Sequence, residues 1–401
     1  MLNKKKIIYI LLFLSTTLGY SCSSDLVTYS DQLSDLREKC MSYSIGSPRF
    51  FLFGMGNRDK YLYKDYQLIH IENDSVILSF TDVLSDTIRP SDYRVDIYTK
   101  HGKVSIVEDE EGIWMEECKR RDSLHTISCN VKLPSFEDKR YGKILKVLHQ
   151  EILFNIMDSR LYPNIFVYKK PFLRDAFMGG MCLELTGNIG LLKPWINSID
   201  SVYDMQNHEK ESDNLGELLY LLSFIPSDSN IVLRQNLGDE IKYQTIYGDN
   251  CKYLNGHTDG NNNAEYQTQI LKYALQKNGL KDDYTEAPEL GFYYNLCWFT
   301  KGSNNHRTWR QMYDNWVKGD RDLAWPYLMW ARSHYYNDFN APWADHDYPL
   351  SWEQGGTSAF FEGMHVLSEK AVEDKICYPH VWTAAEMFLK LYEYEKKNMQ
   401  D

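Results

Sequence analysis

The hydrophobic period of this chain changes at Pro134, and that change limits what it can fold into more than any other feature. From about Arg49 to Leu133, apolar residues come in short runs rich in aromatic and β-branched types: RFFLFG, YQLIHI, SVILSF, YRVDIYT, KVSIV, GIWMEE and LHTISCNV. Asn-Asp, Ser-Asp, His-Gly and Arg-Asp turns separate the runs, which is the pattern of an antiparallel β-sandwich or sheet. After Pro134, Ile144, Leu145, Leu148, Ile152 and Ile156 recur at three- and four-residue spacing, and helical stripes continue to the C-terminus. The expected organisation is a small β-sandwich-like domain over 45–135 and a helical domain over 140–398, with 22–44 as a tether and short helix.

Helices are expected near 143–157, 174–187, 190–200, 214–225, 230–244, 263–279, 289–300, 305–317, 322–336, 354–370 and 380–398. Every second one begins at polar, chemically capable residues: Arg174-Asp175, Asp213-Asn214, His257-Thr258-Asp259-Gly260, Asn305-His306-Arg307 and Trp352-Glu353. The steps between these starts are about 38, 46, 47 and 47 residues, in the range of helical-hairpin repeats. An open superhelix and a closed ring both fit that period. The alternation of polar with plain helix starts favours a ring, whose inner helices share one rim and gather distant residues around a central cleft.

On the motifs KPFLRDAF at 170–177, LTGN at 185–188, SDNLGE at 212–217 and YPLSWEQG at 348–355, residues 140–398 resemble the (α/α) toroid of six-hairpin glycosidases and related polysaccharide-processing enzymes. The resemblance implies a mainly-α fold, a toroid of stacked helical hairpins beside the small antiparallel β domain. It also implies that Arg174 and Asp175 hold the hydroxyls of a terminal sugar while carboxylates on other inner-helix starts act as acid and base. Five inner helices can be built where the family has six, and no motif fixes which carboxylate is the acid.

Glycoside hydrolysis needs one protonated and one ionised carboxyl flanking the scissile bond. The proposed rim offers Asp175, Asp213, Glu217, Asp259 and Glu353. In the inverting hydrolase that this reading favours, Asp213 or Asp259 is one catalytic partner and Glu353 the other, with Glu217 on the substrate side. Each has a structural alternative: Asp213 sits where an N-cap belongs, Glu217 and Glu353 are acids near helix starts, Asp259 precedes a turn glycine, and Arg174-Asp175 can be an ion pair. Eight of the ten tryptophans fall between Trp298 and Trp382. Trp309, Trp316, Trp325 and Trp330 follow helical spacing and suit a core, whereas Trp343 and Trp352 suit sugar stacking. A polysaccharide lyase would instead use Tyr266 with His306 and Arg307, and a glycan-binding lipoprotein would use the same cleft without turnover.

His257-x-Asp259 and Asp345-His346-Asp347 lack the spacing of zinc or calcium loops, so no metal is expected, and no cofactor is implied. The N-terminus MLNKKKIIYILLFLSTTLGYSC has the basic, apolar and small-residue parts of a secretory signal over 1–21. Leu18-Gly19-Tyr20-Ser21-Cys22 resembles a relaxed bacterial lipobox, which implies acylation of Cys22 and anchoring in the cell envelope, with Ser23-Ser24-Asp25 pointing to the outer membrane. Membrane contact is expected through that anchor only. The net charge of −12 argues against nucleic acid as a partner and leaves a glycan as the expected one. Of eight cysteines, seven follow Cys22, an odd number that makes no disulfide framework.

Overall fold

The computed structural model describes residues 50–125, 129–139, 141–166, 168–205, 208–258, 264–285, 352–354 and most of 377–392. Its first half is two antiparallel meanders. Strands β1 (Phe50–Phe53), β2 (Tyr61–Lys64), β3 (Gln67–His70) and β4 (Ser75–Ser79) pair in chain order as a four-stranded sheet. Strands β5 (Val83–Arg89), β6 (Arg94–Thr99), β7 (Gly102–Glu108), β8 (Ile113–Glu117) and β9 (Arg120–Ser123) pair likewise as a five-stranded sheet. Side chains alternate faces along a strand, so Phe51, Phe53, Tyr61 and Tyr63 all point one way and meet Val95, Ile97, Ile106 and Ile113 of the second sheet in one buried cluster. Three of these strands, β2, β5 and β9, are not evident in the sequence. They are polar or tyrosine-rich, and pairing with their neighbours rather than a hydrophobic pattern fixes them.

The sandwich is joined to the helical part through the β1–β2 connection. Met55 leaves the sheet for the helical core, the Gly56 N–H donates to Leu153 O at 2.8 Å, and the Gln150 amide donates to Leu52 O at 2.7 Å. Two buried cations hold that connection in shape. Arg58 pairs with Glu108 at 3.0 Å, while Glu108 also accepts the Gly54 and Met55 N–H groups. Lys60 donates to the carbonyls of Gly54 and Gly56, and complete burial pulls its ammonium down to about 7. The contact between the two parts is therefore apolar at Met55, Tyr93 and Val131 but polar around Glu108.

The helices are α1 (Gly142–Phe154), α2 (Leu173–Leu185), the short α3 (Lys193–Ser198), α4 (Asp213–Leu222), α5 (Ile231–Gln244) and α6 (Ala264–Lys277), with helical residues again within 381–392. Each follows an apolar stripe legible in the sequence. Helices α2, α4 and α6 lie side by side and parallel. Phe177 meets Tyr220 at 4.9 Å between ring centroids, Tyr220 meets Tyr273 at 5.6 Å, and the Asn278 amide donates to Leu219 O at 3.1 Å. Gly216 permits the close approach of α4 to α6, since a Cβ there would stand 2.6 Å from the Ile270 side chain and 2.7 Å from the Leu271 nitrogen.

This architecture corrects the expectation of a mainly-α toroid. The described residues hold six helices beside a four-stranded and a five-stranded sheet, with two-stranded pairings interleaved among the helices. Hairpins β10 (Ile156–Met157) with β11 (Arg160–Leu161), and β12 (Thr245–Tyr247) with β13 (Lys252–Leu254), stand in connections that a toroid of helical hairpins would make by turns. The regular step between polar starts therefore counts mixed αβ units over this part of the chain. Trp352 and Glu353 lie in strand β14 (Trp352–Gln354), paired with β15 (Cys377–Pro379), and not at a helix start. The expected helices at 289–300, 305–317 and 322–336 lie outside the described residues.

Candidate active site

The parallel course of α2, α4 and α6 brings their N-terminal ends together, and five of the residues singled out from the sequence meet there. Arg174, in the first turn of α2, donates through Nε to Asp213 Oδ2 at 2.9 Å and through Nη2 to Glu211 Oε2 at 3.1 Å. All three side chains are buried. Asp213 is the first residue of α4 and Ser212 occupies the cap position, so Asp213 spends its oxygens on Arg174 and on the Asn214 N–H at 3.1 Å. Glu217 lies one turn further along α4. It accepts the Asn214 amide at 3.1 Å and a longer contact from the Tyr266 hydroxyl at 3.5 Å, which ties α6 to α4.

Glu217 has no solvent contact, and burial first, then the charge of Asp213, raise its pKa well above the ordinary carboxylate value against the opposing pull of Arg174. A carboxyl whose proton is held more tightly than usual thus sits one helical turn from a carboxylate in an ion pair. Positively polarised helix ends converge on the same point and favour the acids gathered there. On the side nearer solvent, Asp175 faces the His380 ring at 3.8 Å. His380 follows β15, and Glu353 of β14 pairs with Tyr378, two residues before His380.

Two acids of this cluster, Asp204 and Glu211, were not among the sequence candidates. The Leu173 N–H at the start of α2 donates to Asp204 Oδ2 at 2.7 Å, and the Asp204 N–H donates to Asn214 Oδ1 at 3.2 Å. Asp204 thereby satisfies one of the orphan donors of a helix whose own cap residue, Phe172, cannot. No local signal marks such a long-range cap. Glu211 could have been suspected from the run Glu211-Ser212-Asp213-Asn214 across the start of α4, where acids cluster.

Tyr266 is buried, and its hydroxyl lies 3.5 Å from Glu217 Oε1. Asp259, His306, Arg307, Trp343 and Cys22 lie outside the described residues, and for Trp352 and Glu353 only the strand placement is described. Next to Asp259, Thr258 is buried, accepts the Gln267 amide at 2.9 Å, and follows His257, whose carbonyl accepts the Ser212 N–H at 2.9 Å. The 257–258 segment therefore crosses the starts of α4 and α6. Among the described residues no group of His, Cys, Asp and Glu is arranged to hold a metal ion, Cys118, Cys129, Cys182 and Cys251 are free thiols, and no helix is long and apolar enough to cross a membrane. Comparison with protein-family models, with curated proteins and with solved structures found no match, and the site stands on its own geometry.

Proposed function

We propose that this chain is an envelope-tethered protein acting on a glycan, with Arg174, Asp175, Asp213 and Glu217 at the centre of the site. The observation that carries this reading is a fully buried Glu217, its pKa raised by burial and by Asp213, one helical turn from an Asp213 held in an ion pair with an arginine, at one convergence of helix starts. That combination supplies a proton donor and a fixed anion, the two states that glycosidic cleavage uses. Asp213 and Glu217 stand on one helix about 5–6 Å apart at Cβ, too close to flank a bond together with the water that inversion requires. In an inverting hydrolase the second carboxyl comes from across the cleft, the role this reading gives to Glu353. A non-catalytic glycan-binding role is favoured by a different observation: neither Asp213 nor Glu217 is exposed, and both are engaged by protein donors.

The test is a panel of bacterial, host and plant glycans screened for binding and product release with the protein from residue 22 onward. Glu217→Gln retains the shape and neutrality of the protonated carboxyl, so its melting temperature is expected to stay near that of the parent while release falls at least a hundredfold, the low end of general-acid contributions. Binding without release, weakened by Asp175→Asn, supports the binding module instead. No binding and no release from any glycan overturns the glycan reading. The lipid anchor belongs to the same proposal: Cys22→Ala is expected to move the protein from the membrane fraction to the soluble one, and retention in the membrane at normal yield would sink it.

A further inference from the structure

We infer that the groove between residues 200–205 with Lys210 and α5 is a saccharide subsite for neutral or amino-bearing sugars, an inference that rests on the glycan reading above. The groove encloses about 570 Å³, within the range of small-molecule sites. One wall is a face of α5. Asn236, Asp239, Glu240 and Tyr243 follow at positions i, i+3, i+4 and i+7, so they form one stripe along the helix, and the stripe is polar and aromatic where a packing face would be apolar.

Tyr243 is 81% exposed. The opposite wall holds Tyr203, whose hydroxyl donates to Glu240 Oε2 at 2.9 Å and fixes that carboxylate, with the Lys210 ammonium 5.2 Å from the Tyr203 ring centroid. Pyranose rings present an apolar C–H face and a rim of vicinal hydroxyls. An exposed tyrosine ring covers the first, and planar carboxylate and amide groups bond the second in pairs. Three carboxylates, Asp200, Asp239 and Glu240, line the groove with one cation, Lys210, and Asp239 also pairs with Lys242 at 3.1 Å, so a net negative lining disfavours uronates and phosphates and suits neutral or amino sugars.

The groove also abuts the buried cluster. Tyr203 and Met205 line it, while Asp204 between them turns inward to accept the Leu173 N–H at 2.7 Å. A short stretch of backbone thus carries both surfaces, as suits an accessible subsite for a saccharide longer than the residue held at the cluster.

The experiment is calorimetric titration of the protein from residue 22 onward with the β-1,4 disaccharides of glucosamine, glucose and glucuronate, and with trilysine as a cationic peptide probe. The first two sugars are expected to bind, with diglucuronate at least tenfold weaker. Tyr243→Ala, at an exposed position that leaves the fold intact, is expected to lose about tenfold in affinity, equivalent to about 1.4 kcal/mol. Asp200→Asn combined with Asp239→Asn is expected to erase the preference for glucosamine over glucose. The inference is overturned if no disaccharide binds, if diglucuronate binds best, if trilysine outcompetes the sugars, or if Tyr243→Ala changes nothing. Glycan release by a protein whose binding Tyr243→Ala leaves untouched would remove the groove and keep the glycan reading. Sugar binding lost in Tyr243→Ala, in a protein where Glu217→Gln alters no release, would keep the groove and remove the catalytic role of the cluster.

Discussion

Replacing Arg174 with methionine is expected to lower the unfolding free energy by about 3–5 kcal/mol, the usual consequence of deleting one partner from a buried charge group. Glu211 and Asp213 have no solvent contact, and each gives an oxygen to the guanidinium. Without it, two carboxylates stay close together in a low-dielectric site, and each must take up a proton or unfold the start of α4. Arg174→Lys is expected to rescue only part of the loss, because one ammonium cannot present the separate Nε and Nη2 donors that reach the two acids. Urea melts at neutral pH decide the matter. A triple change, Arg174→Met with Glu211→Gln and Asp213→Asn, removes the stranded charges and is expected to recover most of the stability. A single variant that melts like the parent would show that the triad carries no net load.

The second large effect is an acid lability centred on His149. Its ring is fully buried between Phe136 and Phe388, its Nε2 lies 3.2 Å from the Asn188 amide, and burial depresses its pKa to about 3. In the unfolded chain the same ring takes a proton near 6.5. Between these values the unfolded state binds a proton that the folded state refuses, so stability falls as the pH drops from about 6.5 towards 3, and this group contributes no slope above that window. The loss is about 3 kcal/mol by pH 4. His149→Phe keeps an aromatic ring in the same apolar surroundings and leaves the Asn188 amide its bond to Lys132 O at 2.8 Å. It is expected to flatten the stability profile between pH 6.5 and 4 when both proteins are melted across that range, and identical profiles would assign the acid sensitivity elsewhere.

The change of period at Pro134 was legible because burial acts residue by residue. A strand in a sandwich shows alternation and a helix on a core shows a stripe, so strands β1, β3, β4, β6, β7 and β8 and the helices α1 to α6 follow from local pattern, while β2, β5 and β9 do not. Arg174, Asp175, Asp213 and Glu217 were legible for a related reason, as charged residues at the starts of apolar helices. How these units assemble was not legible. A regular step between polar starts has the same appearance whether a turn, a helix or the β12–β13 hairpin fills the interval, so the expectation of a toroid failed where spacing was asked to stand for connection. Asp204 and Glu211 belong to the same class. Asp204 caps a helix that starts 31 positions earlier, and Glu211 completes an ion triad 37 positions from Arg174. The raised pKa of Glu217 is likewise a product of tertiary structure, because a pKa depends on desolvation and on neighbouring charge, and both arise only when α2 and α6 close over α4. The amino-acid sequence by itself determined the change from strand to helix at Pro134, the six helices α1 to α6, and the polar residues at the starts of α2 and α4. The tertiary structure alone decided which of those residues meet and which of them has its pKa raised, since those outcomes depend on distances between segments that local pattern does not encode.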